Sequence, residues 1–365
     1  MSGWRTSLFA RLGRLSCWSD ISHRTSSIGR AIPELDTLRG IAAIIVLADH
    51  TAMIQNGRGG NGVWLFFALS GYLLTRPFIE RHEAWTSRSL LLYVSRRLAR
   101  ILPMYWLVVL GYYVLQSKYY WHWVVLHLTF RRGDLHLWTV QQELLFYLLL
   151  PGLLFLIAFL GRRNWLKAAL LYGLAVLSGL YLGPDIIRLH AIHRFGFVPF
   201  QVAPFLAGMG AAYLFASLPP TLFARRGKGF LLLLILGLLL FCNWRWPVAA
   251  ENGGIWRFGI LYSLLLVTVQ LPGPSWLSRL LCFGPFRALG VVGYSFYLLH
   301  LPMIQYYAPL APFLGKRTCF LFVGLVTYAL SCLTYTLVEK PCMKKIPTWV
   351  SQITQKKSGR HEGQE

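Results

Sequence analysis

Residues 138–160 read WTVQQELLFYLLLPGLLFLIAFL. The stretch carries one charge, Glu143, and is almost wholly apolar from Leu144 to its end. A helix crosses the hydrocarbon core of a bilayer in roughly 20 residues. This stretch therefore reads as a membrane span. Nine similar stretches flank it: Leu38–Ile54, Gly62–Ile79, Ile101–Gln116, Ala168–Leu182, Gly196–Leu218, Gly229–Trp244, Ile255–Leu271, Leu289–Tyr307 and Thr318–Val338. The third, fifth and seventh spans in chain order are short and can extend into their loops.

Composition agrees. Of 365 residues, 56% are hydrophobic and 13% charged, with a mean hydropathy of +0.51. Soluble domains carry about 25% charged residues. The expectation is an all-α polytopic membrane protein, a bundle of about ten transmembrane helices. Residues 1–37 form a basic N-terminal tail, 38–338 the transmembrane domain and 339–365 a C-terminal tail. Both tails are expected to be loose. No internal repeat is visible.

The formal net charge is +23, from 36 Lys and Arg against 13 Asp and Glu. No nucleic-acid recognition motif accompanies it, which sets that partner aside. The basic residues sit between the apolar runs. Twenty-five fall on the side of the two termini and ten on the other. The positive-inside rule then places both termini in the cytoplasm. The six cysteines are scattered without a paired motif, so neither a zinc site nor a disulfide framework is signalled, and no metal site is expected. The basic N-terminus lacks a short apolar stretch with a cleavage site, so the first span is expected to be retained.

Ionisable groups inside spans are costly, about 2.5–3.5 kcal/mol on insertion scales. Here they include Arg39, Asp49, His50, Arg76, Glu143 and His300. Arg39 and His50 are eleven positions apart, so on a helix they share one face. One face then offers a fixed cation at one depth and a titratable base at another. A neutral imidazole can take a proton from a hydroxyl near neutral pH. The alternative is a hydrogen-bonded His50 and an Arg39 that reaches to lipid phosphate. Asp49 points about 100° away from His50, toward another helix. Glu143 is either ion-paired to an arginine or chemically active. His300 precedes Pro302, and a hydrogen-bonded histidine in a kinked helix is its simpler account. Arg97 and Arg100, at i and i+3, read either as ordinary inner-loop charge or as a phosphate site.

Five segments together resemble the acyltransferase-3 family of membrane O-acyltransferases. They are ELDTLRGIAAIIVLADH (34–50), GVWLFFALSGYLL (62–74), RRLARILPMYW (96–106), WTVQQELLFYLLLP (138–151) and LGVVGYSFYLLHLP (289–302), the last followed by VEKP (338–341). They stand in the family's order across nearly the whole chain. The resemblance implies that 38–338 is an acyltransferase domain. It implies an acyl-CoA donor, usually acetyl-CoA, on the cytoplasmic side, with no permanently bound cofactor. It implies a carbohydrate or glycolipid hydroxyl as acceptor, membrane lipids and proteins of a surface-glycan pathway as partners, and residence in a bacterial cytoplasmic (inner) membrane. Arg39 and His50 match the family's essential pair, and Glu143 its carboxylate. Arg97 and Arg100 match an element associated with acyl-CoA binding. Ser70, Gly71 and Tyr72 match a Ser-Gly-aromatic element, with Ser70 and Tyr72 assigned to the donor site. Two positions depart: Trp64 stands where many members carry Asp, and Thr139 where Ser is commoner. No hydrolase-like segment follows residue 338, so an acyl group passed onward would need a partner or a lipid-linked acceptor.

The expected reaction is transfer of a short acyl group to a hydroxyl, with His50 as general base and Arg39 or Glu143 organising the site. The chief rival is a proton-coupled secondary transporter or flippase, which also uses isolated membrane charges. A purely structural helix-contributing protein is a third class, disfavoured by the charge in the first span.

Overall fold

A computed structural model of the protein describes residues 25–26, 29–30, 32–54, 59–81, 86–115, 120–181, 201–219, 225–245, 254–307, 309 and 311–361. Cys17, residues 1–24 and 362–365 of the two tails, Gln116, Leu182 and residues 196–200 of the proposed spans lie outside the described residues.

After a two-residue antiparallel ladder, Thr25–Ser26 on Gly29–Arg30, the described chain is helical. The helices are α1 (Pro33–His50), α2 (Gly60–Arg81), α3 (Ser87–Leu115), α4 (Trp121–Leu128), α5 (Trp138–Ala158), α6 (Asn164–Tyr181), α7 (Val202–Ser217), α8 (Arg225–Arg245), α9 (Ile255–Gln270), α10 (Ser275–Leu281), α11 (Gly284–Val291), α12 (Gly293–Tyr307), α13 (Ala311–Thr334) and α14 (Lys340–His361). A π-helical turn, Tyr335–Glu339, joins α13 to α14. Four segments are long and apolar enough to cross a membrane: α2, α5, α8 and the run from Gly315 to Gln355. A fifth arises if Arg279–Val291 and Gly293–Tyr307, bent by 64°, count as one broken span. The protein is an integral membrane protein. Its outward residues fit lipid: Phe230, Leu233, Leu240 and Trp244 of α8 are all exposed.

Within the described residues each of the ten apolar runs is mainly helical, but the bounds differ in three instructive places. Helix α3 begins at Ser87, so its charged first half continues without a break into its apolar half. The run Leu289–Tyr307 is broken at Val292, ten residues before Pro302. The last span does not end at residue 338, because helix continues to His361. The C-terminal stretch is therefore an ordered helix, packed against α3, rather than a loose tail.

Glycines set the crossings. A side chain on Gly71 of α2 would strike the Phe205 carbonyl of α7, and one on Gly208 of α7 would strike the Ala68 carbonyl of α2. Gly40 of α1 and Gly290 of α11 meet in the same reciprocal way, through the Phe286 and Asp36 carbonyls. Small residues let helix backbones approach this closely. Helix α7 thus sits in the centre, against α2, α6 and α9, while α1 carries α11 across it. Beyond the 64° bend, α12 returns along α1.

Candidate active site

His50 is the last residue of α1 and is exposed. Its Nδ1 lies 2.8 Å from Nε2 of His300 on α12, and the two rings stack at 5.0 Å. The Nδ1 of His300 donates to the Tyr297 carbonyl. A third histidine, His136, stands edge-on to His300 at 5.1 Å, and its Nε2 donates to the Leu298 carbonyl at 2.9 Å. That carbonyl is free for a reason legible in the chain. Its helical partner would be the N–H of residue 302, and Pro302 has none. His136 supplies the missing donor. The histidines bond to one another and to backbone, and among the described residues no group of three or more His, Cys, Asp or Glu converges as a metal site.

Arg39 lies two-thirds of the way back along α1 from His50. It pairs with Asp36 at 3.1 Å and runs its stem past Gly293, whose added Cβ would lie 3.3 Å from Arg39 Cγ. Gly293 and His300 are seven residues apart, so they share a face of α12. Arg39 and His50 therefore both face α12.

A second cluster forms where α2, α3 and α5 meet. Glu143 accepts hydrogen bonds from Ser70 at 3.1 Å and from the Tyr147 hydroxyl. The Arg97 guanidinium lies between two aromatic rings, 5.7 Å from Tyr93 and 5.9 Å from Tyr147. Its Nε is buried without a hydrogen-bond partner among the described residues. Tyr93 donates to the Tyr147 carbonyl at 3.2 Å. This carbonyl too has lost its helical donor, because residue 151 is proline. Arg100 is in electrostatic reach of Tyr147, Glu339 and Glu143. Glu339, 2% exposed in the π-helical turn, accepts from Ser295 of α12.

All of these residues but Glu339 lie within residues 32–336, which a family profile described as an acyltransferase domain matches. The chain belongs to the acyltransferase-3 family. It is 26% identical to the peptidoglycan O-acetyltransferase OatA of Listeria monocytogenes, over 88% of this chain and 57% of that one. It is 25% identical to the putative peptidoglycan O-acetyltransferase YrhL of Bacillus subtilis, over 86% and 55%. It is 24% identical to the O-acetyltransferase OatA of Staphylococcus aureus, over 87% and 58%. The chain thus spans little more than half the length of these relatives. No solved structure matches.

Within this acyltransferase-3 frame, the residues singled out in the sequence fall into three places. Arg39 and His50 face α12. Ser70, Glu143, Arg97 and Arg100 gather at α2, α3 and α5. Tyr72 stands apart: it is fully buried and donates to Gln270 at 3.0 Å, on the side where Arg76 reaches the same Gln270 at 3.2 Å. Two residues separate it from Ser70, about 200° around the helix. Arg76 also pairs with Glu80, which accounts for its place near the end of α2. Trp64, where many family members carry Asp, packs on Phe258 at 5.3 Å and donates to Gln201 at 3.1 Å.

The site also holds residues that the sequence does not mark as functional: His136, Tyr294 and Tyr297, with Tyr93 and Glu339 in the second cluster. His300 reads in the sequence as a hydrogen-bonded histidine of a kinked helix. Tyr294, Tyr297 and His300 follow at three-residue spacing and so line one stripe of α12. The Tyr294 hydroxyl donates to the Ile101 carbonyl at 2.9 Å, and Tyr294 is in electrostatic reach of Glu143. The Tyr297 hydroxyl donates to the His136 carbonyl at 3.1 Å, and its ring lies 5.4 Å from that of His300. The stripe joins the Glu143 cluster to His50. The tyrosines at this spacing and the His-x-Pro pattern of 300–302 were the available signals.

Proposed function

We propose that the protein is a membrane-bound O-acyltransferase that moves an acetyl or other short acyl group from acyl-CoA to a hydroxyl of a glycan-type acceptor. The observation that carries this is the hydrogen bond between His50 and His300, which engages Nδ1 of the exposed His50 and leaves Nε2 outside that contact. The stripe on α12 connects that histidine to the cationic cluster of Arg97 and Arg100.

The reaction runs as follows. Arg97 and Arg100 hold the phosphates of the donor. Arg97 suits this role because its guanidinium is stacked between rings and keeps an unpaired N–H. Ser70 and Glu143 flank the path of the thioester. His50 takes the proton of the acceptor hydroxyl as its oxygen attacks the acyl carbon. An O–C bond forms and the C–S bond breaks. The CoA thiolate leaves and recovers a proton from the His50 imidazolium. General-base assistance of this kind contributes about 10²–10⁴-fold. Arg39, paired with Asp36 and packed against Gly293 about 16 Å along α1 from His50, organises the other end of their shared face.

The acceptor class follows the relatives named for peptidoglycan O-acetylation: a sugar hydroxyl of a cell-surface glycan. The setting is a bacterial cytoplasmic membrane crossed about ten times, with both termini cytoplasmic and surface-glycan proteins as partners. Membranes holding the protein, given labelled acetyl-CoA and glycan acceptors, are expected to label the glycan, and His50→Ala membranes are not. Acceptor movement without any dependence on acyl-CoA would instead favour a transporter.

A further inference from the structure

We infer that His300 is a positioning residue: it fixes the proton of His50 on Nδ1 and so makes Nε2 the nitrogen that acts as base. The catalytic part of this inference rests on the acyltransferase reading; the tautomer does not.

What each atom can donate or accept decides where the proton sits. The Tyr297 carbonyl has no hydrogen, so the His300 Nδ1 facing it carries one. A neutral His300 then presents a bare lone pair at Nε2. The His50 Nδ1 lies 2.8 Å from that lone pair, so the shared hydrogen belongs to His50. With its proton on Nδ1, neutral His50 has its lone pair on Nε2, the nitrogen that the His300 contact does not use. The order is that of a base oriented by a second group behind it.

A second support holds His300 in place. His300 is 1% exposed and His136 2% exposed, so both rings are buried. His136 donates from Nε2 to the Leu298 carbonyl freed by Pro302, and its ring lies edge-on against His300. Tyr297 closes the set by donating to the His136 carbonyl. The loop before α5 and the Pro302 turn of α12 are therefore joined by these bonds, and the joined unit presents one acceptor to His50. This gives the His-x-Pro pattern a role: the proline frees the carbonyl that anchors His136, and the histidine orients His50.

Two variants separate orientation from packing. Gln at position 300 keeps an acceptor oxygen for the His50 Nδ1–H, while Phe keeps bulk and removes the acceptor. The account predicts that His300→Gln retains kcat within about tenfold, whereas His300→Phe loses on the order of 10²–10⁴-fold in kcat with KM for acetyl-CoA unchanged. The direct readout is 15N NMR of histidine-labelled protein in bilayers at about pH 8, with the His50 signals identified by their loss in His50→Ala. The expected pattern is a protonated Nδ1 and a bare Nε2 at His50, kept in His300→Gln and mixed in His300→Phe. A protonated Nε2 at His50 in the unaltered protein, or full kcat in His300→Phe, overturns the inference. If the unaltered protein transfers no acyl group at all, the acyltransferase reading falls, and the NMR pattern still decides the tautomer.

Discussion

The Nδ1 of His50 and the Nε2 of His300 lie 2.8 Å apart although 250 residues of chain separate them. The contact depends on backbone geometry far from either ring. Helix α11 crosses α1 where Gly40 and Gly290 face each other, and the 64° bend that follows sends α12 back along α1. His50 and Arg39 then meet one face of α12.

The glycine crossings are the first test. Gly71→Val places a side chain against the Phe205 carbonyl, so the two helices must move apart. Overpacking of this kind costs about 1–3 kcal/mol. The melting temperature of purified Gly71→Val is expected to fall, while Gly111→Ala, which meets open space, leaves it unchanged. Equal melting temperatures for Gly71→Val and the unaltered protein would contradict the packing.

Pro302 offers a test in which stability and activity separate. Pro302→Ala restores an N–H that competes with His136 for the Leu298 carbonyl. Helix α12 is expected to be as stable or more so. One weakened hydrogen bond of about 1 kcal/mol corresponds to roughly a fivefold fall in kcat. A variant with unchanged kcat would remove His136 from the account of the site.

Arg97 is predicted to act on donor binding. Arg97→Ala is expected to raise KM for acetyl-CoA by about 10–100-fold, the range of a lost charged hydrogen bond. Arg97→Lys should recover little of that, because an ammonium does not stack as a planar guanidinium does between Tyr93 and Tyr147. Steady-state kinetics checks both. A change confined to kcat would place Arg97 with the reacting atoms instead.

Tyr72→Phe is the contrasting case. It removes a hydrogen bond to Gln270 on the side of α2 away from Ser70. The expected outcome is about 1 kcal/mol of lost stability and an unchanged KM for the donor. A raised KM would return Tyr72 to the donor site.

Much of the fold was legible because lipid demands apolar composition over whole helices, and within the described residues every apolar run is mainly helical. Helix bounds were less legible. Helix α3 extends through Arg88, Arg96 and Arg97, where composition turns polar while the backbone stays helical. The break at Val292 arises from α11 packing on α1, a contact that apolar composition does not record. The C-terminal helix was missed because its basic, polar sequence resembles a solvated tail, yet it packs on α3. Of the site, Arg39 and His50 were readable as a shared face from their spacing alone. The grouping of Ser70 with Glu143 and Arg97 was not, since it joins three helices. His300 was undervalued because a histidine before a proline has a sufficient local explanation. Its partners, His50 and His136, come from distant parts of the chain.

The most direct measurement is single-turnover transfer from labelled acetyl-CoA to a glycan acceptor by purified protein in vesicles, beside His50→Ala, with donor binding measured on both. The account predicts equal donor affinity and a transfer rate about 10²–10⁴-fold lower in His50→Ala. Transfer at the unaltered rate by His50→Ala, or no binding of acyl-CoA by either protein, would contradict it.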